Sequence, residues 1–218
     1  MILEPIPPRI LSVRRIPNAD PAVLAAYGAD PTRHRSLGLI TVDQDDPTYV
    51  ALDEATKHAP VDVVFARSFY AGAAHGSGPI SGEILGVLAA SDPDEIDEGL
   101  AALIRCLEHD ACFYGADESK KTPVFPHVIA SLGHYLSAQA GVAPGTSMAY
   151  LVAPPMEGAI ALDAALKAAD VRAAKIFPPP TETNFTAAWL VGSLVDCQAA
   201  AEAYCETVVR VAANPRER

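Results

Sequence analysis

Residues 51–66 read ALDEATKHAPVDVVFA, and residues 161–176 read ALDAALKAADVRAAKI. Set one above the other at an offset of 110, seven of the 16 positions are identical: Ala51/Ala161, Leu52/Leu162, Asp53/Asp163, Ala55/Ala165, Lys57/Lys167, Ala59/Ala169 and Val61/Val171. The surroundings match as well. A short apolar run precedes each copy, LGLITV at 37–42 and AYLVA at 149–153, and runs of this length read as buried strands. Each copy is a short helix that leads into a second strand, VDVVFA at 61–66 and VRAAKIF at 171–177. A loop rich in Pro, Gly and polar residues follows, then a third strand (GEILGVLAA, 82–90; FTAAWLVGS, 185–193) and a long helix. The offset is close to half of the 218 residues. The sequence therefore predicts two repeats, 1–112 and 113–218, of one α/β unit with helices layered on a sheet.

The long helices carry recognisable ends. Asp92-Pro93-Asp94-Glu95 places an acceptor side chain, a proline and a glutamate where a capping box needs them, ahead of EIDEGLAALIRCLEH. Its counterpart over 195–213 stops at Asn214-Pro215. On that second helix Cys197, Ala201 and Cys205 follow i, i+4, i+8 spacing, so both thiols fall on one apolar stripe and read as small core side chains. Two segments remain, each ahead of its repeat's first apolar strand. RILSVRRIP (9–17) reads as a strand. Residues 113–140 read as a loop, FYGADESKKTP, and then a helix, PHVIASLGHYLSAQAG.

Composition excludes several function classes. Sixteen Lys and Arg stand against 27 Asp and Glu, a formal charge of −11, which disfavours nucleic acid and anionic lipid surfaces. Half the residues are hydrophobic, enough for a core without disulfide staples. The four cysteines form no C-x-x-C pair, and a reduced, cytoplasmic protein is the simplest reading. The N-terminal stretch is broken by prolines and lacks a signal peptide's charge and apolar pattern, and no 18-residue apolar run is present.

Catalytic signatures are missing too: no P-loop, no G-x-G-x-x-G after a strand, no G-x-S-x-G elbow. The six histidines are scattered. Only His127 and His134, seven apart, fall within one expected helix, where they read as surface or interface residues before metal ligands. Asp43, Asp45 and Asp46 cluster in TVDQDDPTY. They read either as a solvated loop whose last acid and Pro47 open a helix, or as a site for a small cation such as an ammonium group. Calcium fits less well, since the glycine and distal glutamate of an EF-hand are missing. Lys57 and Lys167 stand at matching places near their helix ends, either complementing the helix dipole or serving an edge contact. The loops at 67–81, with Gly72, Gly76, Gly78 and the pair Phe69-Tyr70, and at 177–185, with three consecutive prolines, are too apolar for ordinary linkers. Loops of that kind cover or line something.

LKAADV (166–171), after an Ala-Leu-Asp helix and before a β run, resembles the signature of bacterial microcompartment shell proteins. Two copies in one chain resemble that family's tandem-domain, trimer-forming class. The stretches 36–76, 147–171 and 178–193 are similar, nearly phrase by phrase, to shell proteins of ethanolamine utilisation, and the likeness covers roughly residues 9–214. The resemblance implies two ferredoxin-like domains in circularly permuted order, which accounts for the leading strand at 9–17. It implies a homotrimer shaped as a flat pseudohexamer, tiled edge to edge with other shell proteins, with a gated channel for small metabolites or cofactors. It implies no catalytic residues, no cofactor and no metal. Carried over by motif, Asp45, Asp46 and Glu83 would hold the ammonium of ethanolamine, Glu182 and Thr183 would supply further polar contacts, and Phe113 an apolar wall or a backbone carbonyl. Phe69, Tyr70, Gly72 and Gly76 would belong to the gate, and Lys57 and Lys167 to the assembly edge. A trimeric ligand-binding regulatory protein of ferredoxin-like fold is the alternative.

Overall fold

The structure is a computed structural model that describes residues 4–69, 83–117, 122–179, 181 and 185–216; the side chains of Phe69 and Glu83 lie outside the described set. By contacts the chain divides into two compact units. One comprises Pro8–Ala111 with Gly133–Leu136, the other Met1–Pro7, Cys112–Leu132 and Ser137–Arg218.

The first unit holds a four-stranded antiparallel sheet. Its strands are β2 (Ile10–Ile16), β3 (Ser36–Val42), β4 (Asp62–Phe69) and β5 (Glu83–Ala90), in the order β2-β3-β5-β4. A short helix α1 (Pro21–Ala26) follows β2, α2 (Asp45–His58) follows β3, and α3 (Pro93–His109) follows β5. The capping box at α3 is formed: the Asp92 carboxylate accepts the Asp94 N–H at 2.8 Å, and Glu95 reaches back to the Asp92 N–H at 3.2 Å. Helices and sheet approach closely at two glycines. A Cβ on Gly38 would stand 2.8 Å from Ile96 of α3, and one on Gly86 3.1 Å from Leu52 of α2.

The second unit repeats this plan. Strands β7 (Pro123–Ile129), β8 (Ser147–Ala153), β9 (Arg172–Phe177) and β10 (Thr186–Gly192) run β7-β8-β10-β9, all antiparallel, with α4 (His134–Ala140), α5 (Pro155–Ala168) and α6 (Leu194–Ala213) in the matching connections. Two short strands, β6 (Phe113–Gly115) and β1 (Glu4–Ile6), extend this sheet beyond β7. The core behind it is built of alanine and aliphatic residues. Leu151, Ala153, Leu162, Ala165, Leu190, Cys197, Ala201, Tyr204 and Val208 are all buried in it, with Cys205 packed partly buried at its margin. The cysteine stripe is therefore core, and all four thiols are free. Burial pushes Cys106 up to about 12 and Cys205 up to about 11, so both are inert thiols.

The two four-strand orders are the same, so the offset read from the sequence is a structural repeat of the ferredoxin-like α/β kind. Three expectations need correction. Residues 123–129 are a strand, not the end of a loop and, from Pro126, the start of a helix: PVFPHVI is rich in β-branched and aromatic residues and pairs along β8. Pro126 is tolerated because β6 pairs only as far as Val124, so no described strand flanks β7 there on the other side. His127 thus lies on a strand and His134 at a helix start, and they share no helix face. The acids of TVDQDDPTY are not solvated. Asp45 and Asp46 are 4% and 7% exposed, inside the first turn of α2 rather than before it.

Candidate functional site

Cross-strand register gathers the sequence candidates of the first unit at one end of its sheet. Val42, the last residue of β3, stands opposite Ile84, and Ile84 opposite Ser68. The acidic segment 43–46 leaves β3 at that end, and Phe69 pairs with Glu83 there, one residue further out. The candidate gate loop thus springs from the same edge as the acidic start of α2. Tyr70, Gly72 and Gly76 lie outside the described residues.

Within the acidic segment the Asp43 and Asp45 carboxylates have structural settings. Asp43 accepts the Arg9 N–H at 2.7 Å and faces the Arg9 guanidinium at 3.6 Å, which ties the start of β2 to the end of β3. Asp45 accepts the Asp46 N–H at 2.9 Å, and the Thr48 hydroxyl donates to the Gln44 carbonyl at 2.6 Å. Asp45 and Asp46 both lie buried in the first turn of α2, at the positive end of the helix dipole.

The second unit shows the same layout. Ala153 stands opposite Thr186, and the chain leaves this end of the sheet both into α5 and through 178–185 between β9 and β10. Phe113 is fully buried and packs on Phe125, ring centroids 5.0 Å apart; Phe125 faces Val152, which faces Ala187, which faces Phe177. Phe113 therefore belongs to the row of the sheet nearest the 178–185 connection. Glu182 and Thr183 lie outside the described residues. An aromatic chain continues across this face, Phe125 to Tyr150 and Tyr150 to Trp189 at 5.5 Å each, and Trp189 to Phe177 at 5.0 Å. The Lys175 ammonium is poised over Phe177 and Trp189.

The matching lysines differ in setting. Lys57 is mostly covered and pairs with Glu54, which also accepts from His58 at 2.8 Å. Burial works to raise the Glu54 carboxyl, but these two partners outweigh it and hold it below the usual range. Lys167 is exposed and pairs with Asp163 at 2.6 Å.

Sequence reasoning missed Asp53. Its carboxylate is buried and accepts the N–H groups of Gly133 at 2.7 Å and Leu136 at 2.8 Å. The neighbouring Thr56 hydroxyl accepts the His134 N–H at 3.0 Å and donates to the Asp53 carbonyl at 2.7 Å. Gly133 is required there: a Cβ would stand 2.6 Å from the Asp53 carbonyl oxygen and closer still to Thr56 Oγ1. The available signal was the glycine just before His134, which leaves α4 without a capping side chain of its own.

Relatives decide the family. The chain is 50% identical to the bacterial microcompartment shell protein EutL of Salmonella typhimurium over 188 residues, 86% of either chain. It is 49% identical to the EutL of Clostridium perfringens over 210 residues, 96% of either chain. This chain belongs to the EutL microcompartment shell proteins. No family model matches it. Crystal structures of EutL agree: the Clostridium perfringens protein superposes with a TM-score of 0.92 at 48% identity, covering 99% of this chain and 98% of that one. The Leptotrichia buccalis protein gives 0.93 at 45% with full coverage of both. The trimeric shell protein PduB, at 16% identity and a TM-score of 0.77 over 94% and 89%, shares the fold. EutL-family membership gives the chain a structural, non-enzymatic role in a microcompartment shell and disfavours the regulatory alternative. Among the described residues, no helix is long and apolar enough to cross a membrane.

Proposed function

We propose that three copies of this chain, each supplying repeats 1–112 and 113–218, form a pseudohexameric tile in the shell of a cytoplasmic ethanolamine-utilisation compartment. Loops 67–81 and 177–185 gate its channel for small metabolites or cofactors, and ethanolamine regulates the gate. The observation that carries this reading is positional. In each repeat the loop joining the third and second strands leaves the same end of the sheet as the first turn of the helix after the first strand, and in repeat 1–112 that turn is acidic. A ligand bound by Asp45 and Asp46 at that end lies where it can bias a loop rooted at Phe69 and Glu83. Glu83, Glu182, Thr183 and Phe113 complete the proposed site. Lys57 and Lys167 serve the outer edge, where tiles meet other shell proteins.

The chemistry fits weak binding. Charge-assisted hydrogen bonds contribute about 1.5–3 kcal/mol each, less the cost of immobilising the ligand, so affinity falls at roughly millimolar to micromolar. A channel ligand held more tightly would not leave. Ethanolamine shifts the gate by its difference in affinity for the open and closed forms and by no more. Isothermal calorimetry tests the site. Ethanolamine should give heat with the unmodified protein and little with Asp45→Ala. Equal heats in both, or none in either, would remove the acidic turn from the site.

A further inference from the structure

The two sheets differ on the face turned away from their long helices. Along β8 and β10 Ala149, Leu151, Ala188 and Leu190 join the core beneath α5 and α6, so alternation turns Tyr150 and Trp189 to the opposite face. Register sets one row across that face: His127 stands opposite Tyr150, Tyr150 opposite Trp189, and Trp189 opposite Lys175. The matching row of repeat 1–112 is Arg14, Leu39, Val87 and Phe65. There Leu39, Val87 and Phe65 share one apolar cluster with Leu24 of α1 and Tyr27, its C-cap, and the Tyr27 ring stands edge-on to Phe65 at 5.7 Å.

Repeat 113–218 changes both sides of that contact. Gly28 after α1 and Gly141 after α4 both take positive φ, 82° and 66°, and in each case the next N–H returns to a carbonyl five residues back, Ala29 to Leu24 and Val142 to Ser137. The two segments therefore match with Leu24 at Ser137 and Tyr27 at Ala140. A large apolar side chain and a ring give way to a hydroxyl and a methyl. On the sheet, Val87 gives way to Trp189 and Phe65 to Lys175. Trp189 is 6% exposed, and its indole N–H has no hydrogen-bond partner among the described residues. A buried donor left unpaired is costly, and native structures rarely keep one without an occupant that accepts from it. Beside it the exposed Lys175 ammonium stands 5.3 Å from the Trp189 ring centroid and 5.6 Å from that of Phe177, and among the described residues no carboxylate pairs with it.

We infer that Trp189 and Lys175 form a seat for the oxyanion of a small metabolite, a carboxylate or phosphoryl group. Both side chains are donors only, one neutral and one charged. A single oxyanion accepts from the indole N–H and from the ammonium together, with the bond to Lys175 charge-assisted. Neither group offers a lone pair to an ammonium ligand, so the seat differs in chemistry from the acidic turn at Asp45 and Asp46. Lys175 lies on the edge strand β9, which opens the seat to solvent, while Tyr150 and Phe177 flank the indole with ring centroids 5.5 Å and 5.0 Å away and hold its plane. Phe177 also begins 177–185, so an occupant sits at the root of the loop that the proposed function assigns to the gate. The inference itself does not rest on gating.

Trp189 is the chain's single tryptophan, so tryptophan emission reports this seat alone. The full chain is titrated with sodium acetate and, separately, with sodium phosphate, at an ionic strength held constant with sodium chloride. At least one of the two should change the emission saturably. Acetate alone marks a carboxylate seat, phosphate alone a phosphoryl seat, and both a seat for either. Calorimetry with the effective anion should then show affinity lowered about tenfold or more in Lys175→Gln and in Trp189→Phe, and kept in Lys175→Arg. The Lys175 side chain is exposed, so Lys175→Gln should keep the far-ultraviolet circular dichroism of the unmodified protein, and its loss of binding is then a loss of the seat and not of the fold. Emission that saturates with neither anion, or binding as tight in Lys175→Gln and Trp189→Phe as in the unmodified protein, overturns the inference.

Discussion

Asp53 accepts two backbone N–H groups inside a buried contact, whereas Asp163, its counterpart in the repeat, lies in water against Lys167. The same side chain therefore carries very different weight. Asp53→Ala strands two buried donors, each worth about 1–3 kcal/mol of desolvation, so urea unfolding should lose about 2–4 kcal/mol. Asp163→Ala removes an exposed pair and should stay within about 0.5 kcal/mol. Asp53 also has a pH signature. Burial outweighs its hydrogen bonds and the Lys57 charge, and holds the carboxyl above the usual range. The folded protein thus binds this proton more tightly than the unfolded chain does. The stability tied to that proton is present at low pH and lost as pH rises through the folded value. Unfolding midpoints of the unmodified protein and Asp53→Asn, compared near about pH 4 and about pH 8, should differ more in favour of the unmodified protein at the acid end. A gap that widens with rising pH instead would show the carboxylate, not the acid, to be the favoured form.

Helices and strands were legible where pattern is local. The capping residues of α3, the apolar runs of β3 and β8 and the stop at Asn214-Pro215 all lie where periodicity and caps put them. The segment 123–129 was not legible, because a proline within it suggests a helix start, and only pairing with β8 reveals a strand. Helix α1 escaped notice for its length, six residues, although Asp20-Pro21 spells a cap and a first turn. The gate proposal belongs to this scale. Pro fixes φ near −65°, so Gly72→Pro or Gly76→Pro should restrict loop 67–81 if that loop moves. Hydrogen exchange of its amides should slow, and the response to added ethanolamine should shrink. Unaltered exchange and response in both variants would rule these glycines out as the source of gating.

For the whole molecule, the repeat decides what assembly needs. Two units of one fold carry Lys57 and Lys167 at matching places, which the proposed function assigns to the outer edge of the tile. Lys57→Ala and Lys167→Ala should each weaken the tiling of concentrated protein into sheets, seen by electron microscopy, and leave the trimer's mass unchanged. Sheets as extensive as those of the unmodified protein would free both lysines from that role.

The sequence by itself determined the repeat, its α/β layering and the family, because these rest on long identical stretches and on apolar periodicity that each segment carries alone. It also placed Asp45 and Asp46 at a helix start. What it could not determine was burial at that start, or which member of a matched pair is engaged. Asp45 and Asp46 look like a solvated run in one dimension and are covered in three. Asp53 and Asp163 are the same letter in the same phrase. Only the tertiary structure separates them. Contacts between segments about 80 residues apart, such as Asp53 with Gly133, leave no periodic trace in either segment, since each partner satisfies its own local pattern whether or not the other arrives.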